Sequence, residues 1–274
     1  MATAISIDAL LAVLDLEAVG DDRYRATSLD FGGDVVFGGQ LLAQSIAAAL
    51  RGTEGMEVKT VHQGFLRGAT RTQDLEVQVD RVHAGRSFAT STVTFEQGGR
   101  AVSRAQVLLS APEPDLIRHS DPLPTAGSPE DAPAMANSSD VWEQRAVGGV
   151  DIDDPDAVGP AELALWMRFP GAPRDALANQ ALLAFATESF LIGTAMRPHA
   201  GVGQAQAHRT VATSVISHTM TFHEPAHVGE WLLVQHHSPY AGRGRSYGRG
   251  DVFTRDGSVV ASFAQDNLIR AMPG

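Results

Sequence analysis

The chain has 274 residues, 43% of them hydrophobic and 19% charged, with a net charge of −11 and no cysteine. That length exceeds one small domain and suits two compact halves with a sizeable core. The acidic balance argues against nucleic acid and anionic membrane surfaces as partners, and the lack of cysteine excludes disulfides, thiolate metal sites and a cysteine nucleophile.

The N-terminal stretch MATAISIDALLAVLDLEAVGDD has no basic leader, and acids interrupt its apolar run. It predicts a short amphipathic helix from Ser6 to Leu16, capped by Ser6 or Asp8, and no signal peptide. The tetrapeptide Ala271-Met272-Pro273-Gly274 carries no peroxisomal or retention address, so a soluble cytoplasmic protein is the expectation. Val36 to Leu50 opens on a glycine pair and continues as an uncharged Ala/Leu-rich helix. Val58 to Val79 reads as extended chain broken around Gly68. Arg86 to Phe95 and Ala101 to Ser110 read as two strands joined by a hairpin at Gln97-Gly98-Gly99. Residues 113–160 are rich in Pro, Asp, Ser and Gly, and predict a surface linker with a short helix near Val141 to Arg145.

Ala176 to Met196 is apolar on every side, free of Pro, and flanked by Asp175 and Arg197. It predicts one helix buried all round. Asn179, Gln180, Thr187, Glu188 and Ser189 interrupt it too often for a membrane span. Glu188 is the one charge inside it, and on a helix its neighbours are Ala184, Phe185, Leu191 and Ile192. An ionised carboxylate there costs several kcal/mol unless partners serve it. It is either an acid with a structural partner or solvent at the helix edge, or a functional acid whose proton affinity is raised by burial.

After this helix the order of the first half returns: loop, strands, Gly hairpin, strands. Gly85-Arg86-Ser87-Phe88 matches Gly244-Arg245-Ser246-Tyr247 at an offset of 159, and eight of the 22 ungapped positions are identical, Gln106 meeting Gln265. The reading is a duplicated α+β unit, each copy one helix with a curved antiparallel sheet wrapped about it, a double hot-dog. The boundaries are 1–112 for the first unit, 113–160 for the linker and 161–274 for the second. Gly244-Arg245-Ser246-Tyr247-Gly248 has the spacing of a nucleophile elbow, but a strand and not a helix follows it. His218, His223, His227, His236 and His237 lack metal-ligand spacing and read as surface or hydrogen-bonded histidines, so no metal is expected.

Val36-Phe37-Gly38-Gly39-Gln40, His62-Gln63-Gly64-Phe65-Leu66-Arg67, Phe222-His223-Glu224-Pro225 through Glu230-Trp231-Leu232-Leu233, and Asp256-Gly257-Ser258-Val259-Val260-Ala261-Ser262 with Gln265 together resemble the acyl-CoA thioesterase II family over essentially the whole chain. The resemblance implies a double hot-dog enzyme that hydrolyses fatty acyl-CoA, with an Asp on the second buried helix, a Thr or Ser on the next strand and a Gln on the last. The acid falls on Glu188 and the amide on Gln265, which as a strand residue can equally be paired with backbone. Val215 stands where the hydroxyl is expected, Ser217 where an Asp is, and Thr221 where a Trp is. Alternation puts Ser217 on the face of Val215 and Ser214 on the other, so Ser217 can offer a hydroxyl directly and Ser214 only through a bulge. The implied reaction is direct attack of activated water on the thioester, with the helix N-terminus or nearby N–H groups for the oxyanion and no cofactor. Arg243, Arg245 and Arg249 either meet CoA phosphates or form a solvated turn. The alternative is an acyl-CoA-binding protein that kept the fold and lost its hydroxyl. Each chain holds both halves of a hot-dog pair, so assembly into a homo-oligomer is optional.

Overall fold

The computed structural model describes residues 5–272; the first four residues of the N-terminal stretch, and Pro273 and Gly274 of the closing tetrapeptide, lie outside it. In chain order the elements are α1 (Ile7–Ala12), β1 (Glu17–Gly20), β2 (Arg23–Ala26), α2 (Gly38–Leu50), β3 (Glu57–Phe65), β4 (Leu75–Ala84), β5 (Phe88–Gln97) and β6 (Arg100–Ser110). The second half supplies β7 (Glu143–Ala146), β8 (Glu162–Arg168), α3 (Ala176–Thr187), α4 (Leu191–Met196), β9 (Val211–Phe222), β10 (Leu232–Gly242), β11 (Arg245–Thr254) and β12 (Val259–Ala271). The Ser6 hydroxyl accepts from the Ala9 N–H and caps α1, which ends sooner than expected, at Ala12.

The strand order is β1-β2-β4-β5-β6-β3 in the first half and β7-β8-β10-β11-β12-β9 in the second, the same order six strands on. β4-β5-β6 and β10-β11-β12 are antiparallel meanders. Gly98 (φ 57) and Gly99 (φ 71) turn the β5–β6 hairpin, and Arg243 (φ 57) with Gly244 (φ 74) turns the β10–β11 hairpin. This is the double hot-dog architecture.

The chain falls into two compact units, Met1–His119 with Gly171–Thr187 and Thr219–Phe222, and Ser120–Pro170 with Glu188–His218 and His223–Gly274. In the first, α2 and α3 pack together. A Cβ on Gly39 would run into the Phe185 carbonyl and the Phe37 ring, so only glycine permits the approach. The Gln180 side chain donates to the Val58 carbonyl at 2.8 Å and accepts from its N–H at 3.0 Å, fixing α3 to the β3 backbone. In the second unit Trp166, Trp231, Leu233 and Phe253 form an apolar cluster, roofed by the Arg168 guanidinium 4.6 Å from the Trp231 ring.

Two expectations are corrected. Val141 to Arg145 holds no helix: Glu143–Ala146 is a strand on β8, with Gln144 and Ala146 turned inward. The period-two burial and the pairing of Glu143 with Arg168, 2.9 and 3.0 Å to the two carboxylate oxygens, outweigh the helix propensity of these residues. The stretch Ala176–Met196 is long and apolar enough by composition to cross a membrane, yet 67% of its apolar 18-residue window is buried within the protein. Nor is it one helix: it breaks between Thr187 and Leu191.

Candidate active site

The break places the acid. α3 ends at Thr187, whose hydroxyl donates back to the Ala184 carbonyl at 3.2 Å, and Glu188-Ser189-Phe190 turn the chain before α4. Phe190 has φ 77, a left-handed conformation that costs a bulky L residue roughly 1–3 kcal/mol. Three contacts seat this kink on the inner face of β10–β12. The Gln265 Nε2 donates to the Glu188 carbonyl oxygen at 2.8 Å. The Phe190 ring stands edge-on to His236, 5.9 Å between centroids, and the same distance from Trp142. Leu191 lies over Gly248, where a Cβ would overlap it.

Glu188 is 8% exposed, and burial, with no hydrogen bond or charge beside it, governs the ionisation of its carboxyl. Burial alone pushes its pKa up to about 8. Gln265 is 1% exposed; with Nε2 engaged, its Oε1 is left without a partner among the described residues. His236 is neutral, because burial holds its pKa down to about 4. Its Nδ1 lies 3.2 Å from the Leu163 carbonyl, an arrangement that assigns the proton to Nδ1 and leaves Nε2 buried as a bare acceptor. Such orphan groups are uncommon in protein interiors, and each calls for an explanation such as a catalytic role or a bound water. The first unit offers the contrast. There Ser45 donates to Gln63 (3.0 Å), Gln63 to Ser103 (2.7 Å), and Gln44 to the Val13 and Thr27 carbonyls, so the polar groups on and around α2 are served.

The other candidates lie elsewhere. The Ser217 hydroxyl donates to Asp266 at 3.2 Å. Asp266 is exposed while its neighbours Gln265 and Asn267 are buried, so Ser217 belongs to the outer face of the sheet and is not brought together with Glu188. Ser214 is exposed and donates to the Val215 carbonyl at 3.1 Å. Arg245 and Arg249 project from the outer face of β11 and Arg243 from the hairpin tip; none is paired with a carboxylate among the described residues. Ser246 lies within β11, is 2% exposed and accepts from Asn267 at 3.3 Å, which is no nucleophile elbow. Among the described residues no three His, Asp or Glu side chains cluster as metal ligands.

The repeat also needs correction at its end. Gln106 is exposed on β6 while Gln265 is buried on β12, so the ungapped offset aligns an outward residue with an inward one. The hairpins differ, two residues between β5 and β6 against four between β11 and β12, and a one-residue slip inverts the face. His236, which the sequence reading set among the surface or hydrogen-bonded histidines, is buried and hydrogen-bonded. Val234, His236 and Ser238 alternate as buried positions on β10, a pattern that marked His236 as inward-facing.

A duplicated sheet-and-helix unit that buries an acid and an amide at a helix break has the constitution of a hot-dog hydrolase. Residues 27–110 match the family described as the acyl-CoA thioesterase N-terminal domain, and residues 118–269 match its C-terminal domain. The chain belongs to the acyl-CoA thioesterase family and is a thioester hydrolase. It is 29% identical to acyl-CoA thioesterase 2 of Haemophilus influenzae, over 95% of this chain and 96% of that one. It is 25% identical to human acyl-coenzyme A thioesterase 8, over 95% and 88%. Among solved structures, the tesB protein of Mycobacterium avium subsp. paratuberculosis and an acyl-CoA thioesterase II of Mycobacterium marinum each superpose with a TM-score of 0.83 at 27% identity, over 97% of this chain and 100% of theirs.

Proposed function

We propose that the protein hydrolyses fatty acyl-CoA to free fatty acid and CoA in the cytoplasm, as part of fatty acid metabolism, by direct attack of a water held between Glu188 and Gln265. The carrying observation is a buried acid, Glu188, whose backbone carbonyl at a strained turn is held by Gln265, with the Gln265 Oε1 left as a buried acceptor without a partner among the described residues. A water is a double donor and serves both the Glu188 carboxylate and the Gln265 Oε1. Ionised Glu188 takes one proton as the water oxygen bonds to the thioester carbonyl carbon; the C–S bond then breaks, and the same proton passes to the departing CoA sulfur. A thioester is reactive enough that positioning and a base of this strength suffice. Arg243, Arg245 and Arg249, unpaired on the surface, supply charge for the CoA phosphates within a protein of net charge −11. The second half carries the chemistry, because the corresponding polar groups of the first are occupied with one another.

Hydrolysis of palmitoyl-CoA followed by free-thiol release, with quenched enzyme weighed by mass spectrometry, tests this reading. One thiol per fatty acid and an unchanged protein mass during turnover are expected. A burst of thiol with a mass increment of one acyl group would establish a covalent intermediate and overturn direct attack.

A further inference from the structure

Val215 offers no hydrogen bond, and both nearby serine hydroxyls are engaged or exposed outside the site. Neither of these serines therefore fixes the Glu188 carboxylate, and its place depends on the segment that carries it. That segment is held in an unfavourable conformation at Phe190, and the ring of Phe190 rests on His236.

His236 is built as a fixed platform. It is 3% exposed, pairs in register with Leu163 on β8 and Gly250 on β11, and its Nδ1 meets the Leu163 carbonyl, which fixes the plane of the ring. On the other side the Phe263 ring stands edge-on at 5.5 Å. Gly250 lies between the two, and a Cβ there would strike the Phe263 ring, so His236 and Phe263 meet across a bare strand. Phe190 is two residues from Glu188, and Phe263 is two residues from Gln265. The imidazole thus meets the rings of Phe190 and Phe263, each two residues from a member of the water site, while lying on a third element, β10.

We propose that His236 is a positioning residue for thioester hydrolysis, setting the place of Glu188 through its ring contact with Phe190. This rests on the reading of Glu188 and Gln265 as the water-activating pair. In this chain, packing does what a hydroxyl on β9 would do by hydrogen bonding, and the extra methylene of Glu relative to Asp reaches from the kink. His236 neither takes the proton nor contacts the water.

The test is a double-mutant cycle on kcat with palmitoyl-CoA: His236→Leu, Phe190→Leu and the double variant, with KM and Tm measured for each. If His236 acts through Phe190, each single variant lowers kcat about tenfold, KM moves little, and the double variant is no worse than the poorer single one. Losses that multiply, or kcat within twofold of wild type for His236→Leu, would overturn the proposal. His236→Asn guards against a folding defect, since its amide can keep the Leu163 bond while removing the ring. It should fold and still lose kcat, and a fully active His236→Asn refutes the ring contact. Retained activity in the His236 variants alongside an inactive Glu188→Gln would remove this inference and leave the water site standing.

Discussion

Glu188 is an acid buried at a helix break, the residue on which the proposed mechanism turns. Burial raises its pKa to about 8, so near neutral pH the protonated form dominates and the base form is the minority. If the base form reacts, as proposed, kcat/KM should rise with pH and level off above about 8; a profile flat from pH 6 to 9 would mean that no such group is used. The burial of this residue was legible in the sequence, because a single acid in an apolar stretch has little solvent to reach. Gln265 was legible only through the family resemblance, since a strand amide carries no signal by itself. The faces of Ser217 and Ser214 were not legible: alternation says which residues share a face, and only the partner strand, here through Asp266, says which face is inside.

At the scale of the element, the kink at Glu188-Ser189-Phe190 is what periodicity could not show. Composition from Ala176 to Met196 favours a continuous helix, and nothing local demands a left-handed Phe190; the demand comes from the sheet, through the Gln265 amide, His236 and the glycine at 248. Gly248 is the most exposed part of that arrangement to mutation. In Gly248→Ala the methyl would overlap Leu191, which is fully buried, and overpacking of this kind costs about 1–3 kcal/mol. Thermal unfolding should register a lower Tm, and kcat should fall with it because Leu191 adjoins the turn. Unchanged kcat at lowered Tm would separate the strand's packing from the placement of the acid. The strand at Glu143–Ala146 makes a similar point, since four polar-rich residues acquire their structure from an edge they complete.

For the whole molecule, duplication was readable from the sequence as matching residues, and the structure extends it to an identical strand order in both halves. Divergence within that frame is what the proposed assignment of the chemistry rests on: Gln44, Ser45 and Gln63 in the first unit are hydrogen-bonded, whereas Gln265 Oε1 and His236 Nε2 in the second have no partner among the described residues. Gln265→Ala should therefore cut turnover by ~10-fold or more, while Gln106→Ala, on an outer face, should leave it within twofold. Equal losses in steady-state assays would mean that the halves contribute alike.

Glu188→Gln is the most direct measurement, because it keeps the shape of the side chain and removes only its capacity to ionise. Turnover of palmitoyl-CoA should drop by ~10²-fold or more, the scale of a lost general base. Stability should show the linkage. A carboxyl whose folded pKa is raised contributes stability below its unfolded pKa and loses it as pH rises through about 8, so the wild type should weaken over that window and the variant should not. Full activity in Glu188→Gln, or a variant that is less stable than wild type above pH 8, would contradict the account.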